Sequence, residues 1–300
     1  MDWSFLQKIN LVFCTGTPKS GTTFLQMILN NHPEVSCPAE HYLFDLLTEK
    51  LPKFLENYNK SIIFIDKVTA NQGAPVFTKD DVKEIGKFII KLAGYKGAQG
   101  RKVKWYGIKD DQLIERNGFS FFEKLFPEAK FIGIIRDPRS VVVSAWHFNI
   151  RIHSDFLESI GKNKEKWIEH CAKCWLRDNN NLINFFKKSP SKVFLCRYED
   201  LLLNPLENYK KIFEFLEINT DYNLIKEIIE KTSFKKFKDG KFFRKGKVDS
   251  WKEELIPFEI KIVEKVCGSL MNLLGYNCLL YTSDAADDGE SVDLGGRRII

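Results

Sequence analysis

Near the N-terminus, Gly16-Thr-Pro-Lys-Ser-Gly21-Thr-Thr23 puts two glycines, a lysine and several hydroxyls within eight residues. Such a stretch can hold an anion. Glycine at position 21 lets the chain curl so that backbone N–H groups face one point, and Ser20, Thr22 and Thr23 add hydroxyl donors. A helix beginning at Thr22 would bring its positive dipole end to the same place. The usual phosphate-binding pattern, G-x-x-x-x-G-K-[ST], has lysine directly after the second glycine. Here Thr22 takes that position and Lys19 lies three residues earlier, inside the loop. The competing reading is a Gly/Ser/Thr turn that only caps a helix.

A second constellation is Arg136-Asp-Pro-Arg-Ser-Val-Val-Val-Ser144. Arg136 offers a forked guanidinium at a predicted strand end, and Ser144 falls on the following helix, so both can reach one phosphate. Read plainly, the same run is a helix start with Pro138 in its first turn and Arg139 on the surface. His170, Cys171 and Cys174 resemble a metal or redox cluster, but there is no second ligand pair and the stretch is helical. Ordinary thiols are the expectation, and no metal is required. His147, one turn past Ser144, faces the pocket or packs on it.

Alternating apolar runs and amphipathic stretches position these residues. Leu11–Thr15, Ile62–Ile65, Trp105–Ile108, Phe131–Ile135 and Val193–Cys196 read as buried strands. Helical periodicity marks Thr22–Asn31, Thr78–Ala93, Val141–Asn149, Lys164–Lys188, Leu206–Leu216 and Phe258–Leu274. This predicts an α/β fold: one domain with a central parallel sheet flanked by helices, a three-layer sandwich of the P-loop NTPase kind. Gly94–Lys104 and Lys235–Lys247 read as exposed loops. The second, mixing lysines with phenylalanines, is the better lid candidate, over Phe234–Ser250.

The chain has 300 residues, 44% hydrophobic and 29% charged, which suits a globular protein. It lacks an apolar run near the roughly 18–20 residues that span a bilayer, and no signal peptide is evident, so the expectation is a cytoplasmic protein without a membrane span. Seven scattered cysteines read as free thiols in a reducing compartment. The run Cys278–Asp288 resembles a translated sequencing-library adapter. We assign 1–277 to the domain and 278–300 to a non-native or disordered tail. That tail carries five acids and two arginines, so removing its −3 raises the formal charge from +6 to +9. A basic body suits an anionic ligand; no feature points to nucleic acid.

Taken together, these segments resemble the sulfotransferases that use 3′-phosphoadenosine-5′-phosphosulfate (PAPS). Pro18-Lys-Ser-Gly-Thr-Thr23 is similar to the family's 5′-phosphosulfate loop, with Phe24 where cytosolic members usually have tryptophan. The resemblance implies that Lys19 touches the 5′-phosphate and the bridging oxygen, and that Arg136 and Ser144 hold the 3′-phosphate. Tyr198-Glu-Asp-Leu201 resembles the segment whose tyrosine packs on adenine. Phe243-Arg-Lys-Gly246 with Trp251-Lys252 resembles the closing R-K-G-x-x-G-x-W-K segment, which implies 3′-phosphate contacts from Arg244, Lys245 and Gly246. Asp249 stands where that segment has glycine.

The resemblance divides over the base. Cytosolic members have histidine after a Lys-Thr pair, whereas this chain reads Lys109-Asp110-Asp111. Tyrosylprotein sulfotransferases carry H-P-E-V-x-C-x-x-E, and this chain has His32-Pro-Glu-Val-Ser-Cys-Pro-Ala-Glu40. That branch implies Glu40 as general base and Lys109 as the group steadying the transferring sulfuryl. His41 and Asp111 are rival bases, and Glu40 can also be read as a solvated loop residue.

The expected reaction is therefore in-line sulfuryl transfer from PAPS to a small-molecule or peptide acceptor, with release of PAP. The alternatives are a metal-dependent P-loop kinase or NTPase, and a catalytically inactive PAP-binding protein. Acceptor contacts are expected from loops at Tyr42–Asn57, Asn71–Thr78 and His147–Lys162, with Tyr42, Phe44, Phe54, Phe148 and Phe156 as their aromatics. Oligomeric state has no clear signal, since the dimer motif of cytosolic members is not evident in Ile256–Leu274.

Overall fold

In the computed structural model, residues 4–38, 42–69, 72–116, 118–233 and 248–277 are described. A short 3₁₀ turn, Ser4–Lys8, leads into β1 (Asn10–Thr15), followed by α1 (Thr22–Asn30) and β2 (Val35–Ser36). Next come α2 (Leu43–Asp45), a π-helical stretch Leu46–Lys50, α3 (Leu51–Thr69) and α4 (Lys79–Gly97). Then follow β3 (Trp105–Lys109), α5 (Gln112–Glu115), α6 (Phe119–Leu125), β4 (Lys130–Ile135) and α7 (Pro138–Ile152). The remainder is α8 (Phe156–Ser159), α9 (Lys164–Lys188), β5 (Val193–Arg197), α10 (Tyr198–Leu203), α11 (Pro205–Phe215), α12 (Tyr222–Thr232), α13 (Trp251–Glu254) and α14 (Pro257–Leu273).

The five strands form one sheet in the order β2-β3-β1-β4-β5, and every pair is parallel. Residues 11–15 of β1 are all buried because alternate side chains enter opposite cores. Leu11 and Phe13 join a cluster with Phe122, Phe131 and Trp175, while Val12 and Cys14 join Leu25, Ile28, Ile132 and Phe213. A strand covered on both faces has no polar side, which is why its sequence is a continuous apolar run. The expected α/β sheet with flanking helices is what the structure contains.

Several expectations are corrected. Ile62–Ile65 is not a strand but lies within the 19-residue α3, where Ile63, Phe64 and Ile65 are exposed. Between Leu51 and Thr69 the chain has no glycine, and its proline, Pro52, stands in the first turn, so nothing local stops a helix. The π-helical stretch just before Pro52 departs from the regular hydrogen-bond ladder where proline has no N–H to give.

The Gly94–Lys104 loop is shorter than expected, since α4 runs to Gly97. A Cβ on Gly94 would lie 3.1 Å from Tyr106 Cβ, so this glycine lets a helix approach the sheet rather than marking a loop. Of the expected acceptor loops, residues 43–57 are helical, and His147–Lys162 is helical to Ile152 and again over α8. Residues 234–247 of the expected lid lie outside the described residues, as does 278–300.

Candidate active site

β1 ends at Thr15 and α1 begins at Thr22, so the anion loop spans the top of the central strand. Both glycines are sterically required. A Cβ on Gly16 would come within 2.5 Å of the Ile134 carbonyl oxygen, and Gly21 has φ +97°. A Cβ on Gly21 would also meet the Tyr198 ring, which packs directly beneath it. Lys19 has φ 73°, a conformation that non-glycine residues rarely hold and that clusters at functional sites. Its ammonium sits 3.2 Å from the centre of the Phe148 ring on α7.

The structure joins the two predicted motifs. Arg136, just past β4, donates from Nη1 to the Lys19 carbonyl oxygen at 3.1 Å, and its guanidinium lies 4.3 Å from the Tyr198 ring centre. Its own carbonyl accepts a 2.9 Å bond from Trp175 Nε1 on α9. Asn179, one turn further along α9, donates to Thr17 Oγ1 at 3.1 Å. Tyr198 is only 4% exposed and is covered by Gly21, Arg136 and Phe24, so its observed contacts support the loop. Ser144 is half-buried on α7, two turns from its start.

An anionic nucleotide phosphate fits this arrangement. Ser20 is fully buried, and its Oγ has no hydrogen-bond partner among the described residues; the same holds for Arg136 Nε. Buried donors of this kind are normally satisfied. The N-cap of α1 is Gly21, which offers no side-chain cap for the helix's first N–H groups. Arg244, Lys245 and Gly246 lie outside the described residues.

At the end of β3, Lys109 is 2% exposed and pairs in register with Cys14. Its Nζ lies 3.4 Å from Asp111 Oδ2, and Thr22 Oγ1 donates to that same oxygen at 3.3 Å. Cys14 and Cys37 lie beside this charge, yet burial holds the Cys14 thiol far above its ordinary range and pushes Cys37 up to about 12. Asp110 turns away: its Oδ2 accepts from the Leu43 and Phe44 N–H groups at 2.8 and 3.1 Å, and its Oδ1 from Gln112 N–H at 3.0 Å. Asp110 thereby caps the start of α2. Sequence reasoning missed that role; its one signal was the carboxylate next to Lys109. Glu40 and His41 lie outside the described residues.

The competing reading of this run, with Arg139 on the surface, does not hold, since Arg139 is 4% exposed. It forms a fork with Asp137, bonds Glu264 Oε1 at 2.8 Å, and stacks 3.8 Å from the Trp251 ring centre. Asp137 N–H in turn donates to Glu199, whose other oxygen accepts from Tyr276. This chain of buried bonds fixes the β4–α7 corner that carries Arg136. His147 does not join it, and pairs at 2.6 Å with Glu254. Burial pushes Cys171 up to about 12, so it is no activated thiol.

The aromatics assigned to acceptor contact separate in the structure. Phe44 and Phe156 are buried, whereas Tyr42 and Phe54 are 59% and 66% exposed. Beyond Phe44, a largely apolar cleft of about 350 Å³ opens between α3, α4 and α6, with Leu47, Val82 and Phe121 on its walls and Lys79 and Lys83 among its lining residues. Among the described residues no helix is long and apolar enough to cross a membrane.

Comparison with known proteins agrees with this geometry. The family model for the sulfotransferase domain matches residues 10–275. A protein-tyrosine sulfotransferase of Drosophila melanogaster is 24% identical over 216 residues, covering 72% of this chain and 40% of its own length. Protein-tyrosine sulfotransferase A of Caenorhabditis elegans is 26% identical, over 70% and 50%. Cytosolic sulfotransferase 15 of Arabidopsis thaliana is 24% identical, over 72% and 69%. The matched region is thus half or less of the first two relatives. The solved sulfotransferase domain of the curacin biosynthetic pathway shares the fold with a TM-score of 0.56, at 18% identity over 90% of this chain and 98% of that one. A mouse sulfotransferase solved with PAP gives 0.55, at 15% identity over 88% and 84%. The match spans the loop, the β3 lysine and the arginine corner in that order along the chain, and the chain belongs to the sulfotransferase domain family.

Proposed function

We propose that this protein transfers a sulfuryl group from PAPS to a hydroxyl or amine of its acceptor and releases PAP. The observation that carries the reading is the Arg136–Lys19 bond, which unites two anion-binding motifs 117 residues apart. PAPS supplies the activated sulfuryl group when bound. Lys19, Ser20, Gly21, Thr22 and Thr23 hold the 5′ end, and Arg136 and Ser144 the 3′-phosphate, with Arg244, Lys245 and Gly246 from the closing segment. Glu40 removes the acceptor's proton as the acceptor oxygen or nitrogen bonds to sulfur. Lys109 steadies the sulfuryl oxygens, and Lys19 neutralises the charge that develops as the sulfur–oxygen bond to the nucleotide breaks. The relatives named protein-tyrosine sulfotransferases favour a peptide tyrosine as acceptor over a small phenol.

Calorimetric titration of the full chain with PAP in EDTA tests the donor assignment. Low-micromolar or tighter binding that is lost in Arg136→Ala supports it. No binding, or binding of ATP only with magnesium, returns the protein to the kinase alternative. Lys19→Ala should lower turnover by about 10²–10³-fold, the usual loss for one preorganised transition-state donor. Near-wild-type turnover removes Lys19 from the mechanism.

A further inference from the structure

Asp111 puts a carboxylate inside a site built for anions. Lys109 is 2% exposed, and a buried ammonium needs a countercharge. The two adjacent aspartates divide the work. Asp110 is committed to three backbone N–H groups, whereas Asp111 faces Lys109 at 3.4 Å. The Asp111 oxygen that meets Lys109 also accepts from Thr22 Oγ1, the first residue of α1. It therefore stands where a helix N-terminus favours any anion. Among the described residues the Cys14 thiol lies close enough to feel both Asp111 and Lys109, and the Cys37 thiol feels Lys109.

We infer that Asp111 is a resident counter-ion of the donor site, one that occupies Lys109 and the Thr22 hydroxyl and so limits how tightly a nucleotide's anionic groups are held. The inference rests on the donor reading above. An entering phosphate or sulfuryl oxygen must share donors already engaged by a carboxylate, and it meets that carboxylate's negative charge in a poorly screened place. The weakened grip has a use: PAP formed at the site is released more readily, and product release often limits turnover.

The test is PAP affinity by calorimetry for the full-length wild type, Asp111→Asn and Asp111→Ser, with urea unfolding run alongside. Asparagine keeps the shape without the charge, so affinity should rise on the order of tenfold, with a steeper dependence on salt because the net attraction for the anion is larger. A residue that merely supports the fold gives the opposite, weaker binding together with a lower unfolding midpoint. Tightening in either substituted protein supports the inference, and it covers the case in which one of them fails to fold. Unchanged or weaker PAP binding in every variant that folds, or folding of neither, overturns it. If the wild type binds no PAP, the donor reading itself falls and takes the inference with it. Wild-type binding without tightening in the variants sinks the counter-ion role alone.

Discussion

Gly21→Ala tests whether the loop is shaped by local sterics as described. The added methyl group faces two separate penalties. At φ +97° an L-residue is strained by about 1–2 kcal/mol. The new Cβ would also lie 2.4 Å from Tyr198 Cδ2, and clearing that overlap adds about 1–3 kcal/mol, as overpacking does in a dense core. The expected loss is about 2–5 kcal/mol in urea unfolding. PAP affinity should fall with it, because Arg136 stacks on the same tyrosine ring. A double-mutant cycle separates the two penalties. In a Tyr198→Ala background only the backbone part remains, so Gly21→Ala should cost about 1–2 kcal/mol there, leaving a coupling of about 1–3 kcal/mol. If the substitution costs the same in both backgrounds, Tyr198 does not define the loop floor and the steric argument fails.

Two further expectations concern the buried network behind Arg136. Arg139→Met leaves Asp137 and Glu264 without their shared cation, so stability should fall by about 3–5 kcal/mol, as for other buried pairs broken from one side; a midpoint near wild type in urea would refute this. Burial pushes the Glu199 carboxyl above its ordinary range, against the lowering effect of its bond from Asp137 N–H. Its folded state therefore holds a proton more tightly than the unfolded chain, and the stability this adds at low pH is lost as pH rises through the raised value. Glu199→Gln has no such loss, so its stability relative to wild type should improve from about pH 4 upward. Parallel unfolding curves across that range would contradict the assignment.

What the sequence made legible was local. The β1–loop–α1 unit was readable because its apolar run, glycines and helical spacing lie within about twenty residues, and the β4–α7 corner was readable for the same reason. Ile62–Ile65 was misread because four apolar residues in a row carry no period, and the exposure of Ile63, Phe64 and Ile65 on α3 contradicts the burial that a strand reading assumes. Arg139 and Asp110 were illegible for a different reason. Their partners Glu264 and Leu43 lie 125 and 67 residues away, and nothing in the local pattern distinguishes a buried ion pair or a helix cap from an ordinary surface charge. The order Lys19, Lys109, Arg136 was visible all along, but the contacts joining them depend on the sheet order.

The central place of β1 shapes how the molecule is made. Asn10 pairs with Trp105 and Val12 with Lys130, separations of 95 and 118 residues, so β1 is hydrogen-bonded on both edges only by much later chain. Pairings this distant raise contact order and slow folding. During synthesis β1 waits unpaired until β3 and then β4 have emerged, an apolar ribbon with two open edges and a need for chaperone cover. The two anion-binding motifs are thus joined only after the middle of this sequence has folded: Arg136 reaches the Lys19 carbonyl once β4 has docked, however early the loop itself is translated.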